Sequence, residues 1–178
     1  MVCFLPGAGA GFGSNKFPEI VLGSPQGGGN LGAGLNVLSL GTSGEIILES
    51  ESFAFDGPGA DLMVFENPFL IGGNPNNPFK ELGTVSVSHN GEAFVDFACD
   101  ADNAALLYPG CAGVHPVQAN PNNNIDPTDP NVAGGDAFDL NQVGVGSIKF
   151  VKITDLDNGG GGGAAGFDLD AVSFRYLE

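Results

Sequence analysis

The chain has 178 residues, 42% of them hydrophobic, with 30 glycines and 12 prolines. That is enough apolar material for one domain with a buried core, which excludes global disorder. Its 21 Asp and Glu against 5 Lys and Arg give a formal charge of −16. Such a surface repels nucleic-acid phosphates and anionic lipid, so neither is expected as a partner. No run of 18 apolar residues is present, so no membrane-inserting helix is expected, and Met1 to Pro6 is too short and lacks the basic residues of a signal peptide.

In chain order, short alternating segments recur and no helical apolar period survives three turns without Gly or Pro. Strands are expected at Asn36–Leu40, Glu45–Glu49, Leu62–Glu66, Thr84–Ser88, Ala93–Phe97, Ile148–Thr154 and Leu169–Tyr176. Asn90-Gly91 supplies the positive φ of a tight hairpin turn between two of them, with Ser86 and Ser88 toward solvent. Thr42-Ser43-Gly44 reads as a second hairpin, joining Val37–Leu40 to Ile46–Leu48 across one buried face. The fold expected is all-β, a single antiparallel β-sandwich over residues 1–178 with a long loop insertion at about 100–136. Gly159 to Gly163 reads as a loop tip.

Cys99 and Cys111, twelve apart, suit a disulfide that closes a short loop and adds roughly 3 kcal/mol by chain entropy. Such a bridge implies an oxidising compartment, the secreted or cell-surface setting, with any leader already removed. Cys3 is left over.

Thirteen of the acids are Asp, gathered where Gly or Pro turns the chain beside an apolar strand. The segments are Asp56 to Asp61 running into Leu62–Asn67, Gly134 to Leu140, and Gly166 to Val172. On a continuous strand Asp168 and Asp170 project to one face, with Phe167, Leu169 and Ala171 on the other. Parallel carboxylates repel unless a cation lies between them. Calcium suits an all-oxygen donor set, so Asp168, Asp170, Asp56, Asp136, Asp139 and Asp61 are the candidate metal ligands, with Glu66 and Asn67 next. The competing reading is that these Asp residues cap turns through backbone N–H groups. Asp155-Leu156-Asp157-Asn158-Gly159 begins like an EF-hand loop but lacks its distal Glu, and His89 and His115 have no partner at zinc spacing.

No Gly-x-Ser-x-Gly elbow, His-Glu-x-x-His or dinucleotide fingerprint occurs. Paired carboxylates can hydrolyse glycosides, but catalytic sugar clefts usually carry aromatic platforms and the chain has no Trp and two Tyr; the same shortage argues against a stacking-type carbohydrate module, though not against calcium-mediated sugar binding. A non-catalytic role is therefore preferred to a hydrolase, and no catalytic residue is assigned.

Val37–Gly41, Asp56–Asp61 with Val64–Asn67, Cys111–Val114, Gly134–Leu140 and Gly166–Val172 together resemble a group of bacterial cell-surface proteins of unassigned function. Val85–Ser88 with Asn90-Gly91, then Phe150–Ile153, more remotely resemble the hairpin and return strand of discoidin-type, galactose-binding-like jelly rolls. The first resemblance carries no activity over, and the second implies a sandwich with calcium at a rim and ligands in its loops; with the carboxylate clusters, the expectation is an extracellular calcium-binding β-sandwich for ligand binding or adhesion, its partner a glycan or a surface protein. The alternative they leave is a structural surface-layer or spacer domain.

Overall fold

The computed structural model describes residues 2–157 and 166–178, so the expected loop tip at Gly159 to Gly163 lies outside the described residues. The strands are β1 (Val2–Leu5), β2 (Leu38–Ser39), β3 (Glu45–Phe55), β4 (Leu62–Phe65), β5 (Phe69–Leu70), β6 (Pro78–Phe79), β7 (Gly83–Ser88), β8 (Val95–Asp96), β9 (Asp136–Phe138), β10 (Ser147–Asp155), β11 (Asp168–Leu169) and β12 (Ala171–Phe174). Helix among the described residues is confined to 3₁₀ segments of three or four residues, and none is long and apolar enough to cross a membrane. The fold is all-β, as expected.

One layer is a five-stranded sheet in the order β1-β3-β10-β7-β8, and every pair in it is antiparallel. The other layer holds the three-stranded sheet β12-β4-β9 and the two-stranded β11-β2, while β5 and β6 pair apart. Alternation decides what lies between the layers. Ile46 and Leu48 of β3, Val85 and Val87 of β7 and Val151 and Ile153 of β10 meet Leu62, Val64, Phe138, Leu38 and Leu169 in one buried cluster. A second cluster, Met63, Phe65, Val117, Ala119, Ala133 and Ala171, covers the outer face of β4. Strand β4 is buried at every residue, which is why Leu62–Phe65 reads as a continuous apolar run.

Several local expectations change. The β7–β8 hairpin forms with Ser86 opposite Asp96, but its last pair is Val87 with Val95, so Asn90-Gly91, with Gly91 at φ 78°, lies inside a longer loop over residues 88–94 and not in a tight two-residue turn, and Ser86 and Ser88 are buried, not solvated. The Ser86 hydroxyl donates to Asp96 at 2.6 Å, and Ser88 Oγ accepts the Gly91 N–H at 3.0 Å. Thr42-Ser43-Gly44 does not close a hairpin: β2 pairs with β11, and β3 pairs with β1 and β10, so these residues carry the chain between layers. The apolar start of the chain forms edge strand β1. The last strand is two pieces, because β11 pairs with β2 and β12 with β4, and the break falls at Asp170.

Insertion residues are packed into the domain. Asn120, Asn123, Asp126 and Asp129 accept from N–H groups two or three residues away, so the Asn-Pro-Asp composition builds a chain of tight side-chain turns. Cys99 and Cys111 form the expected disulfide, and Cys111, Leu82 and Val114 make a small cluster beneath it.

Candidate metal centre

Three carboxylates converge where the two layers meet. Glu66 follows β4, whose pairing ends ahead of Pro68; Glu81 precedes β7; Asp168 opens β11. One oxygen of each lies within 4.8 Å of the others. Glu66 is 2% and Glu81 3% exposed, while Asp168 is half-buried. Glu66 Oε1, Glu81 Oε1 and Asp168 Oδ1 are each shut away from solvent, without a hydrogen-bond partner among the described residues. Buried polar atoms are nearly always paired, and a lone buried carboxylate oxygen costs on the order of 1–3 kcal/mol or more.

Local geometry places each member. Ser39, opposite Asp168 in the β2–β11 pair, and the Asn67 side chain both hydrogen-bond Asp168. Asn67 Nδ2 also donates to the Gly34 carbonyl at 2.9 Å. Glu81 is set by the insertion: Gly83 and Ala112 exchange backbone hydrogen bonds of 3.0 and 2.9 Å, and the Leu156 N–H reaches the Leu82 carbonyl at 3.0 Å. Gly113, at φ +88°, lies so close that a Cβ there would strike the Glu81 carbonyl, so a side chain at 113 would push this wall out of place.

Electrostatics follows from this crowding. Burial pushes the Glu66 carboxyl well above the usual range against the pull of the Asn67 N–H, and the Asp168 and Glu81 charges push the same way. Burial, then the charges of Asp168 and Asp155, raises Glu81 to about 7. Burial outweighs the Ser39 and Asn67 hydrogen bonds at Asp168, which is also raised. A site that resists ionisation this way takes either protons or a cation.

The remaining sequence candidates have other partners. Asp170 stands apart from the three: its Oδ2 accepts the Gln26 N–H at 2.7 Å, its Oδ1 is buried without a partner among the described residues, and burial raises it to about 7. The break at Asp170 separates it from the face of Asp168, since Phe167 and Leu169 enter the main core and Ala171 the second cluster. Asp56, Asp61 and Asp139 do gather, but Asp61 accepts the Gly57 N–H at 2.8 Å on one oxygen and the Leu140 N–H at 2.8 Å on the other, and Asp139 caps Asn141 at 2.9 Å. Asp136 holds the Gly113 and Val114 N–H groups on Oδ2, at 2.7 and 3.0 Å, and His115 Nδ1 on Oδ1 at 2.7 Å. Asp155 takes three N–H groups, from Ser43, Asp157 and Phe167.

Glu81 is the member that sequence reasoning misses. Lys80-Glu81-Leu82 carries no Gly or Asp turn signal, and only the pairing with the distant Ala112 brings it to the other two. Of the second-rank sequence candidates, Glu66 lies in this group and Asn67 hydrogen-bonds its Asp168.

No protein-family model matches the chain, and no curated protein does. Among solved structures, a pectin-binding carbohydrate-binding module determined in a monoclinic crystal form is similar at a TM-score of 0.42 and 11% identity, covering 100% of this chain and 91% of that one.

Proposed function

We propose that this chain is a calcium-stabilised, non-catalytic β-sandwich module of the cell exterior, with the ion held by Glu66, Glu81 and Asp168. The observation that carries the reading is the set of three buried carboxylate oxygens without partners. The donor set is oxygen alone, which suits calcium, whereas zinc and copper favour imidazole or thiolate and magnesium demands a strict octahedron. Asn67 and Ser39, both hydrogen-bonded to Asp168, bring further side-chain oxygens to this cluster. Two carboxylates exposed by 2% and 3% are out of a glycan's reach, so ion holding is favoured over glycoside hydrolysis, in which both acids flank the scissile bond.

An ion at this point ties β4, the lead into β7 and β11, one strand from each of three sheets, so its binding energy becomes stability of the sandwich. The disulfide fits an oxidising exterior, where calcium is abundant. Extracellular sites bind calcium at about 10⁻⁴ to 10⁻³ M, so about 10 mM calcium adds roughly 1.5–3 kcal/mol. For a domain of 178 residues the midpoint rises by about 3–10 °C over EDTA. Thermal melts read by circular dichroism test this, and coincident midpoints in EDTA and calcium would refute it.

A further inference from the structure

A separate hollow of about 440 Å³ opens between the disulfide loop and β9, walled by Leu106, Tyr108, Pro109, His115, Pro130 and Phe138 among others. Its size lies in the range of small-molecule sites, and its surface is more polar than apolar, unlike a lipid pocket.

One wall is strained. Leu107 and Tyr108 are consecutive non-glycine residues at φ 55° and 53°, a left-handed conformation costing roughly 1–2 kcal/mol each. Surroundings over-determine it: Asn103 accepts the Tyr108 N–H at 2.9 Å on its carbonyl and the Leu106 N–H at 3.3 Å on its side chain, and the Asp100 N–H reaches the Pro109 carbonyl at 3.0 Å. Lys80 Nζ sits 4.5 Å over the Tyr108 ring and fixes it further. The loop thereby spends strain to present Leu106, 67% exposed, together with Tyr108 and Pro109 along the rim.

His115 brings an oriented imidazole to the lining. His115 Nδ1 donates to Asp136, which two backbone N–H groups hold in place, so the ring orientation is set and Nε2 is left on the outer edge of a side chain 58% exposed. Because Asp136 is occupied by three donors, its charge is already compensated and the hollow offers directional hydrogen bonding rather than a bare anion.

We propose that this hollow is a saccharide-binding site, in which a sugar ring packs its C–H face on Tyr108 and Pro109 and a hydroxyl hydrogen-bonds His115 Nε2. One aromatic and one prolyl side chain line the same hollow as one oriented imidazole, a small apolar patch with a directed hydrogen-bonding group, which a ring with an apolar face and a hydroxylated edge can use. The proposal rests on the reading of the domain as a non-catalytic binding module and gives that module its ligand.

Affinity electrophoresis tests it, in native gels cast with soluble β-glucan, xylan, galactomannan or polygalacturonate. The wild-type protein is expected to be retarded by at least one of them, and Tyr108→Ala and His115→Ala to weaken that retardation about tenfold or more. No retardation in any gel, or equal retardation of both variants, overturns the site. Should either variant fail to fold, the His115 ring resonances of wild-type protein must shift on titration with oligomers of the retarding polysaccharide, and unmoved resonances overturn it too. Melts in EDTA and calcium on the same samples separate the two readings: a missing calcium shift refutes the ion, and missing retardation refutes the sugar site.

Discussion

Replacing Glu81 by Gln makes the cation-free protein more stable at pH 8 and removes the stabilisation by calcium. Glu81 ionises at about 7 in the folded chain, against about 4.3 in an unfolded one, so the native state holds its proton more tightly. Stability from that proton is therefore full below about pH 4.3 and is lost as pH rises through about 7. Asp170, also raised to about 7, and Glu66, which burial pushes well above its usual range, act in the same direction. Cation-free wild-type protein accordingly loses several kcal/mol between pH 5 and pH 8, of which Glu81 supplies roughly 2–3 kcal/mol. Glu81→Gln flattens this slope because the amide has no proton to lose. Urea unfolding in EDTA and in calcium, at both pH values, reads both effects. A variant that keeps the full calcium response would remove Glu81 from the site, and a cation-free stability that rises with pH would contradict the electrostatics.

The second large effect falls on Asp155, which is 4% exposed and accepts the N–H groups of Ser43, Asp157 and Phe167 at 2.9, 2.9 and 2.8 Å. It fastens the crossover at Ser43 and the start of the Phe167 segment to the end of β10, upstream of Asp168. Asp155→Ala leaves those donors without an acceptor, at about 1–3 kcal/mol each, so a loss of at least about 3 kcal/mol is expected. In a domain of this length that lowers the melting midpoint by about 6–12 °C. Asp155→Asn keeps one carbonyl oxygen and should fall between. A change below about 1 kcal/mol for Asp155→Ala would mean that the N–H groups find other acceptors.

Much of this architecture can be read from local sequence. Alternation in Ile148–Thr154 specifies β10, observed over Ser147–Asp155, and Asn90-Gly91 marks where the chain reverses between β7 and β8, though in a loop over residues 88–94 that is longer than the tight turn expected. Where the reading fails, a tertiary partner has overridden local pattern. Thr42-Ser43-Gly44 has the composition of a hairpin turn, yet Leu38 finds Leu169 and Ile46 finds Ile153. Ser86 and Ser88 alternate with valines as solvent-facing residues would, yet Asp96 and the hairpin loop satisfy their hydroxyls and allow burial.

The site was half legible for related reasons. Asp168, Glu66 and Asn67 lie in turn-flanked motifs that stand out by composition. Asp61, Asp136 and Asp139 stand out equally, but their oxygens hold backbone N–H groups of nearby loops, the capping use of Asp that composition cannot distinguish from metal ligation. Glu81 joins through the Gly83–Ala112 pairing, a contact across the insertion without a local signature.

Diffraction from crystals grown with calcium would locate the ion. One calcium is expected, bound by Glu66 Oε1, Glu81 Oε1 and Asp168 Oδ1 at about 2.3–2.6 Å. Calcium at Asp56, Asp61 and Asp139 with none among these three carboxylates, or no ion at all, would contradict it.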